Sequence, residues 1–344
     1  MNDISVKIGR WYEKNKRDLP WRHTSDPYRI WLSEIILQQT RVVQGLEYYQ
    51  RFVNRFPTVS DLADASQDEV LKLWQGLGYY SRARNLHLAA QQVCSEYKEG
   101  KAIAKFPTSY KELIKLNGVG PYTAAAIASF SSDERVAVVD GNVYRVLSRL
   151  FDIDTLIDST QGQKEFLSLA TELLPEKGVG QHNQAMMELG ALCCTPTSPQ
   201  CQQCPVADHC LSLTNNTIVQ RPVKAGKVKI RERHLTYIIY IYNNYLWVHQ
   251  RGEGDIWQGL WEFVIREGQR SLPDASFRIK HQLTHQTLFA EFHIIPIKDE
   301  KEATALDQEL QPLGYKRVTW MEWQQLAVPR LIDEANRRIA EAWF

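Results

Sequence analysis

Residues 116–130 read LNGVGPYTAAAIASF, and this short run decides how the first part of the chain is built. Gly118 and Gly120 stand two apart, so the backbone between them can turn tightly. Just upstream, Ser109 and Glu112 make a capping-box pattern ahead of Leu113, Ile114 and Leu116, which predicts a helix ending at Leu116. Just downstream, an alanine-rich helix is predicted to start near Tyr122. Such a turn presents free amides at a helix N-terminus, a place that suits one phosphate oxygen. A plain helix connection uses the same turn, and on this motif alone both readings stay open.

Working outward, residues 136–151 read VAVVDGNVYRVLSRLF. The apolar run leads to Asp140, at or beside the N-cap of an amphipathic helix on Val143, Val146, Leu147 and Leu150. There, backbone donors and the helix dipole favour the carboxylate and predict a lowered pKa. A simple helix cap is the competing reading.

Residues 26–56, DPYRIWLSEIILQQTRVVQGLEYYQRFVNRF, carry apolar side chains at helical spacing from Asp26-Pro27 to the residue before Pro57. Within them Glu34 has Ile30, Trp31 and Leu37 three to four positions away. Its carboxyl is therefore predicted to be partly desolvated and protonated near neutral pH; the competing reading leaves it solvent-exposed or pairs it with Arg41 or Arg29. A neutral Glu and a charged Asp facing one site make the acid and the anion of glycosidic bond cleavage.

Four of the six cysteines, Cys194, Cys201, Cys204 and Cys210, fall within 17 residues as C-x6-C-x2-C-x5-C. The chain start lacks a secretory pattern, so they read as a metal site before disulfides. Zinc and an iron–sulfur cluster both accept four thiolates. The single C-x2-C pair and the Cys204-Pro205 step lean toward the cluster. Cys94 and Cys193 lie outside the pattern and read as small buried hydrophobes.

After Cys210 the texture changes. Residues 213–233 hold six basic side chains against one acidic, with Pro222 and Gly226, and read as a linker. Beyond it HLTYIIYIY, Asn243-Asn244 and YLWVHQ predict a β-hairpin. Residues 289–297 and 315–320 predict further strands, and a helix follows Pro329 on Leu331, Ile332, Ala335 and Ile339. The expected organisation is a mainly α domain over 1–212, a linker over 213–233 and an α+β domain over 234–344.

Charge is nearly balanced in both large parts, 23 basic against 24 acidic residues in 1–212 and 12 against 15 in 234–344. Any nucleic-acid contact must then come from placed groups rather than a global field. No apolar run approaches the ~20 residues of a membrane span, and a cytoplasmic location is expected.

LPWR (19–22), SEIILQQTRV (33–42), WQGLGYYSRARNLH (74–87), LNGVGPYT, VVDGNVYRV, HNQAMMELGALCC (182–194) and the four-Cys loop occur in one order and spacing. In this the chain resembles the helix–hairpin–helix DNA glycosylase superfamily and, within it, the MutY adenine DNA glycosylases. The resemblance covers about 8–212 strongly and 234–344 more loosely.

It implies two helical lobes flanking a DNA groove, with a [4Fe–4S] cluster on Cys194, Cys201, Cys204 and Cys210. It makes Glu34 the general acid that protonates adenine and Asp140 the carboxylate that stabilises the sugar cation, with Tyr122 and Asn142 holding the reacting sugar and water. Trp21, Arg22 and Gln184 would line the pocket for the extruded base, Gln39 and Tyr79 would enter the gap in the duplex, and Gly118 and Gly120 would meet the DNA backbone. Extrusion is required because a stacked nucleotide hides its glycosidic bond.

Relatives similar to endonuclease III carry a lysine where this chain has Tyr122, and its amine forms a Schiff base. Tyr122 therefore implies a monofunctional enzyme. Tyr144 stands where some members have Lys, and Asn117 where the hairpin usually has Pro, which implies a looser turn. The C-terminal part resembles the MutY 8-oxoguanine recognition domain, of Nudix-like fold, through IWQGLWEF (256–263) and HQLTHQ (281–286). No Nudix hydrolase signature occurs there. Leu283, Thr284 and His285 take the place of a Phe-Ser-His loop and imply lesion contact. The implied partner is duplex DNA with an adenine:8-oxoguanine mispair, bound by a monomer. Two competing functions are a superfamily glycosylase acting on pyrimidine lesions or mismatches, and a non-catalytic DNA binder. The pair Glu34 and Asp140 argues against the binder, which needs neither.

Overall fold

Asp26 caps the helix Pro27–Leu37 by accepting the Tyr28 amide, and Pro27 fills a first-turn position that needs no donor. This helix is buried on most sides, through Tyr28, Ile30, Trp31, Leu32, Ile35 and Ile36. The helical pattern of 26–56 breaks after it. Gln39 turns the chain with a left-handed φ of 55°, and a second helix runs Val42–Arg55. The computed structural model describes residues 2–95, 105–226, 230–266 and 274–343. They form two units: 1–63 with 88–226, and 64–87 with 227–344.

Five helices of the first unit frame the site: α1 (Asn2–Asn15), α2 (Pro27–Leu37), α3 (Pro121–Ser132), α4 (Gly141–Leu150) and α5 (Val179–Leu192). Ile8 and Tyr12 of α1, Val143 and Leu147 of α4, and Ala185 and Leu189 of α5 share one core with Phe166. Each Val, Leu, Ile or Phe side chain among them contributes about 1.5–3 kcal/mol by leaving water. The α4–α5 crossing is close because position 190 is glycine: a Cβ there would stand 2.6 Å from Asn142 Cβ. Asp133 follows α3, and its carboxylate accepts the amides of Gly178 and Gly180 at 2.9 Å each, capping α5.

The second unit is built on a mixed sheet of β1 (Arg231–Tyr242), β2 (Tyr245–Gln250), β3 (Trp261–Ile265), β4 (Phe277–Gln282), β5 (Gln286–Pro296) and β6 (Lys316–Thr319). Their order is β4-β5-β1-β3-β2-β6. β1 runs parallel to β5 from Arg231↔Gln286 to Ile241↔Pro296, and the other pairs are antiparallel. One face, with Tyr237, Ile239 and Ile241, packs on Leu331, Ile332, Ala335 and Ile339 of the helix Arg330–Trp343. The other, with Ile238 and Tyr240, packs on Ala303, Leu306 and Leu310 of the helix Glu300–Leu310.

The expected boundaries need correction. Residues 64–87 belong to the second unit, because the helix Gln67–Trp74 buries Val70, Leu71 and Trp74 there. Lys72 Nζ donates to the Gln324 and Leu326 carbonyls at 2.6 and 3.0 Å, and Gln250 Nε2 to Asp68 Oδ1 at 2.8 Å. The division falls inside the helix Ser81–Ser95.

Nor is 213–233 a free linker. The Ile157 amide donates to the Val223 carbonyl at 3.1 Å, and Arg149 Nε reaches the carbonyls of Ile218 and Arg221. Arg231 already opens β1, and 227–229 lie outside the described residues. No helix among the described residues is long and apolar enough to cross a membrane.

Candidate active site

α2 brings Glu34, α3 brings Tyr122, α4 brings Asp140 and Asn142, and α5 brings Gln184 to the wall of one cavity of about 870 Å³. Glu34 is only 8% exposed. Tyr122 Oη donates to its Oε2 at 2.8 Å. Burial pushes the Glu34 carboxyl up to about 7, against the pull of the Tyr122 bond, and the nearby Asp140 charge pushes the same way. The pairing of Glu34 with Arg29 is not what forms: Arg29 Nε is 3.6 Å from Asp26 Oδ2.

Asp140 is the N-cap of α4. Its Oδ1 accepts the amides of Asn142 and Val143 at 2.9 and 2.8 Å, and its Oδ2 accepts Asn142 Nδ2 at 2.8 Å. The expected lowered pKa is corrected by the structure. Burial outweighs these donors and holds the carboxyl above its ordinary value. The two acids still differ in kind, since three donors support an anion at Asp140 and one at Glu34.

Asn183 aims the run before Asp140, accepting the Val138 amide and donating to the Val136 carbonyl at 2.9 Å. Arg145 Nη2 donates to Asn142 Oδ1 and the Gly190 carbonyl, and its Nε to the Cys194 carbonyl at 2.7 Å.

Trp21, Arg22 and Gln184 line the same cavity. Trp21 meets Tyr49 edge-on at 5.2 Å, and Gln184 Oε1 accepts Tyr12 Oη at 2.7 Å. Arg22 reaches both oxygens of Glu188 at 2.9 and 2.7 Å, and Arg17 grips the same carboxylate. Sequence reasoning missed Glu188 and Arg17. Burial would raise Glu188, but Arg22 and Arg17 hold it at about 2. The signal was present: α5 contains no Lys or Arg, so a carboxylate buried on it needed a cation from elsewhere in the fold.

Cys194, Cys201, Cys204 and Cys210 are free thiols around a small pocket of about 30 Å³ walled by Pro199, Leu213 and Ile218. Arg149 Nη1 lies 3.4 Å from Cys194 Sγ and 2.7 Å from the Thr195 carbonyl. Soft sulfur donors, an apolar wall and a cation beside them fit a thiolate-bound iron–sulfur group. Among the described residues no three Cys, His, Asp or Glu side chains close on a single-ion position; the four thiols ring a pocket instead.

Residues 32–172 match the family described as HhH-GPD superfamily base excision DNA repair protein, and 194–210 match the iron–sulfur binding domain of endonuclease III. The adenine DNA glycosylase of Buchnera aphidicola subsp. Schizaphis graminum is 33% identical over 309 residues, covering 86% of each chain. That of Homo sapiens is 44% identical over 208 residues, 58% of this chain and 37% of its own. The solved structure of a thermostable thymine-DNA glycosylase covers 61% of this chain and 95% of its own, with 28% identity and a TM-score of 0.56.

The chain belongs to the adenine DNA glycosylase family.

This adenine glycosylase is a base-excision repair hydrolase with a [4Fe–4S] cluster in its 194–210 loop. Its expected fold class holds, a helical first part and a mixed sheet in the second. In the adenine glycosylase Gln39 also lines the cavity, whereas Tyr79 lies in the second unit, 46% exposed, with a left-handed φ of 47°. Two non-glycine residues held left-handed store about 1–2 kcal/mol each.

Leu283, Thr284 and His285 form the tip of the β4–β5 hairpin, closed by the Leu283 amide on the Gln286 carbonyl at 2.8 Å. Thr284 and His285 are exposed, and Thr284 Oγ1 is hydrogen-bonded to Tyr79 Oη. In the α3 hairpin only Gly118 needs a left-handed backbone, with φ 73°; Gly120 is an N-cap in extended conformation. The looser turn expected from Asn117 is not found, because its amide and side chain both bond Gln92 Oε1. Tyr144 is not on the cavity wall and packs edge-on to Phe166 at 5.3 Å.

Proposed function

We propose that this adenine glycosylase removes adenine mispaired with 8-oxoguanine, or with guanine, by a monofunctional hydrolytic reaction, acting as a monomer in the cytoplasm. The observation that carries the chemistry is a high-pKa Glu34 and a triply hydrogen-bonded Asp140 on one cavity wall.

Near neutral pH Glu34 keeps a proton for part of the time. Tyr122 occupies Oε2, which leaves Oε1 to carry that proton toward a ring nitrogen of the extruded adenine. The base then leaves neutral as the glycosidic bond breaks. Positive charge develops on the sugar, and the Asp140 carboxylate offsets it in a site shielded from bulk water. A water molecule completes the hydrolysis, with Asn142 and Tyr122 holding the reacting groups. Trp21, Arg22 and Gln184 shape the pocket, and the Glu188 carboxylate fixes Arg22 there.

Tyr122 offers a phenol held well above its ordinary pKa by burial, not an amine, so no Schiff base forms and the strand stays intact. Gln39, held left-handed on the cavity wall, fills the gap left by the base, while the amides around Gly118 and Gly120 take a phosphate; Tyr79, also left-handed, is a DNA contact of the second unit. Thr284 and His285 present a hydroxyl and a ring to the base opposite.

A duplex panel under single turnover tests this reading. Adenine opposite 8-oxoguanine should be excised fastest, adenine opposite guanine more slowly, and strand breaks should appear only after alkali. Breakage without alkali, or release of thymine from a guanine mispair in place of adenine, would overturn it. For lesion reading, Thr284→Ala should lose preference for 8-oxoguanine over guanine; unchanged preference places the reader elsewhere.

A further inference from the structure

The carboxamide of Gln184, on the cavity wall, has two ends that read opposite things: its oxygen accepts a hydrogen bond and its NH2 group donates. A free side chain turns over at little cost and suits either polarity. Here the turn is blocked. Tyr12 Oη donates to Gln184 Oε1 at 2.7 Å, and Tyr12 is only 3% exposed. Burial holds this phenol above its ordinary pKa, so it keeps the proton that it gives. Turning Gln184 over would leave that proton without an acceptor, since among the described residues Gln184 Oε1 is the one it reaches. Tyr12 is itself held still, in α1 and within the core that α1 shares with α4 and α5. The Arg22 guanidinium lies 5.6 Å from the centre of its ring, and both Glu188 oxygens hold that guanidinium. Tyr12 is not on the cavity wall, whereas Gln184 and Arg22 are. Its ring backs one wall residue and its hydroxyl orients the other.

We propose that Tyr12 is a positioning residue for base selection, fixing Gln184 so that its NH2 group faces the extruded base and reads the bare ring nitrogen N1. The inference rests on the reading that Gln184 lines the base pocket. Adenine carries a lone pair at N1, and its other ring nitrogens remain for the Glu34 proton. Hypoxanthine has nearly the same size and shape but carries N1–H there, with an oxygen in place of the amino group. A fixed donor then meets a second donor, and the wrong base is refused by an unpaired polar contact rather than by size. Without the Tyr12 hydroxyl the amide turns over and accommodates both bases.

The test compares single-turnover excision of adenine and of hypoxanthine, each opposite 8-oxoguanine, by full-length protein. Wild type should prefer adenine. Tyr12→Phe keeps the ring against Arg22 and loses only the hydroxyl, so its adenine preference should fall on the order of tenfold. Gln184→Ala should lose the preference to the same extent, and Tyr12→Phe added to it should change the ratio no further. A merely structural Tyr12 would slow both bases alike, and a Tyr12→Phe ratio equal to that of wild type would overturn the proposal. With that result, a lowered ratio in Gln184→Ala leaves the pocket reading standing, and an unchanged one removes the pocket reading as well. If Tyr12→Phe does not fold, wild type decides with 1-deazaadenine, in which C–H replaces N1 and the other ring nitrogens are kept. Its excision should be on the order of tenfold slower than that of adenine, and equal rates would overturn the proposal.

Discussion

Glu34 is buried with one hydroxyl for company, so its ionised form has little to support it. A carboxyl held at about 7 instead of 4.5 binds its proton more tightly folded than unfolded, so stability falls as pH rises between those values. The cost reaches about 3 kcal/mol above neutrality. We expect Glu34→Gln to unfold at higher denaturant than wild type at pH 8 and to match it at pH 4, while excision falls by about 10²–10⁴-fold. Wild-type single-turnover rates should decline as pH rises through about 7, and the residual rate of the variant should lack that limb. Identical stabilities at pH 8 would mean that Glu34 is not desolvated.

Glu188 behaves in the opposite sense. Held at about 2 between Arg17 and Arg22, it should cost about 3 kcal/mol when replaced by Ala, because two cations lose their partner inside the fold; chemical denaturation measures this. At this scale the sequence showed Glu34 well, because its apolar neighbours are local. It misjudged the sign at Asp140, because the burial that outweighs the cap depends on helices distant in sequence.

Between elements, α4 and α5 meet where Gly190 faces Asn142. A methyl group there must push the helices apart, and the first things to shift are Asn142 and, through it, Asp140. Gly190→Ala should therefore destabilise the fold by about 1–3 kcal/mol and slow excision together with melting temperature. A variant with normal rates and a lowered melting point would separate packing from catalysis.

Helices with clear stops, such as Pro27–Leu37 and Gly141–Leu150, were legible from caps and periodicity. The strand Trp261–Ile265 was not read as one, because it is buried on both faces and shows no alternation. Phe277–Gln282 was hidden for the converse reason, since of its six residues only Ile279 is buried. The break at Gln38–Arg41 escaped because a left-handed Gln39 has no composition signal.

At the level of the whole chain, the change of texture after Cys210 marked two kinds of structure but not the units themselves. The helix Gln67–Trp74, early in the sequence, finds its partners around Gln324 and Leu326. Contacts across some 250 positions leave no local trace. Eight residues are too few to stay helical alone. In a chain ending at 226 we expect the amides of 67–74 to exchange with solvent far faster than in the full-length protein, as read by hydrogen exchange with mass spectrometry; retained protection would show that the first unit holds this helix.

The second unit carries the Tyr79–Thr284 bond, and it changes what the hairpin tip can do. A hydroxyl that already has a partner does not wait for a guest but trades one companion for another. Only the difference between the two attachments then reaches the affinity. Such a tip is poor at gripping and good at comparing.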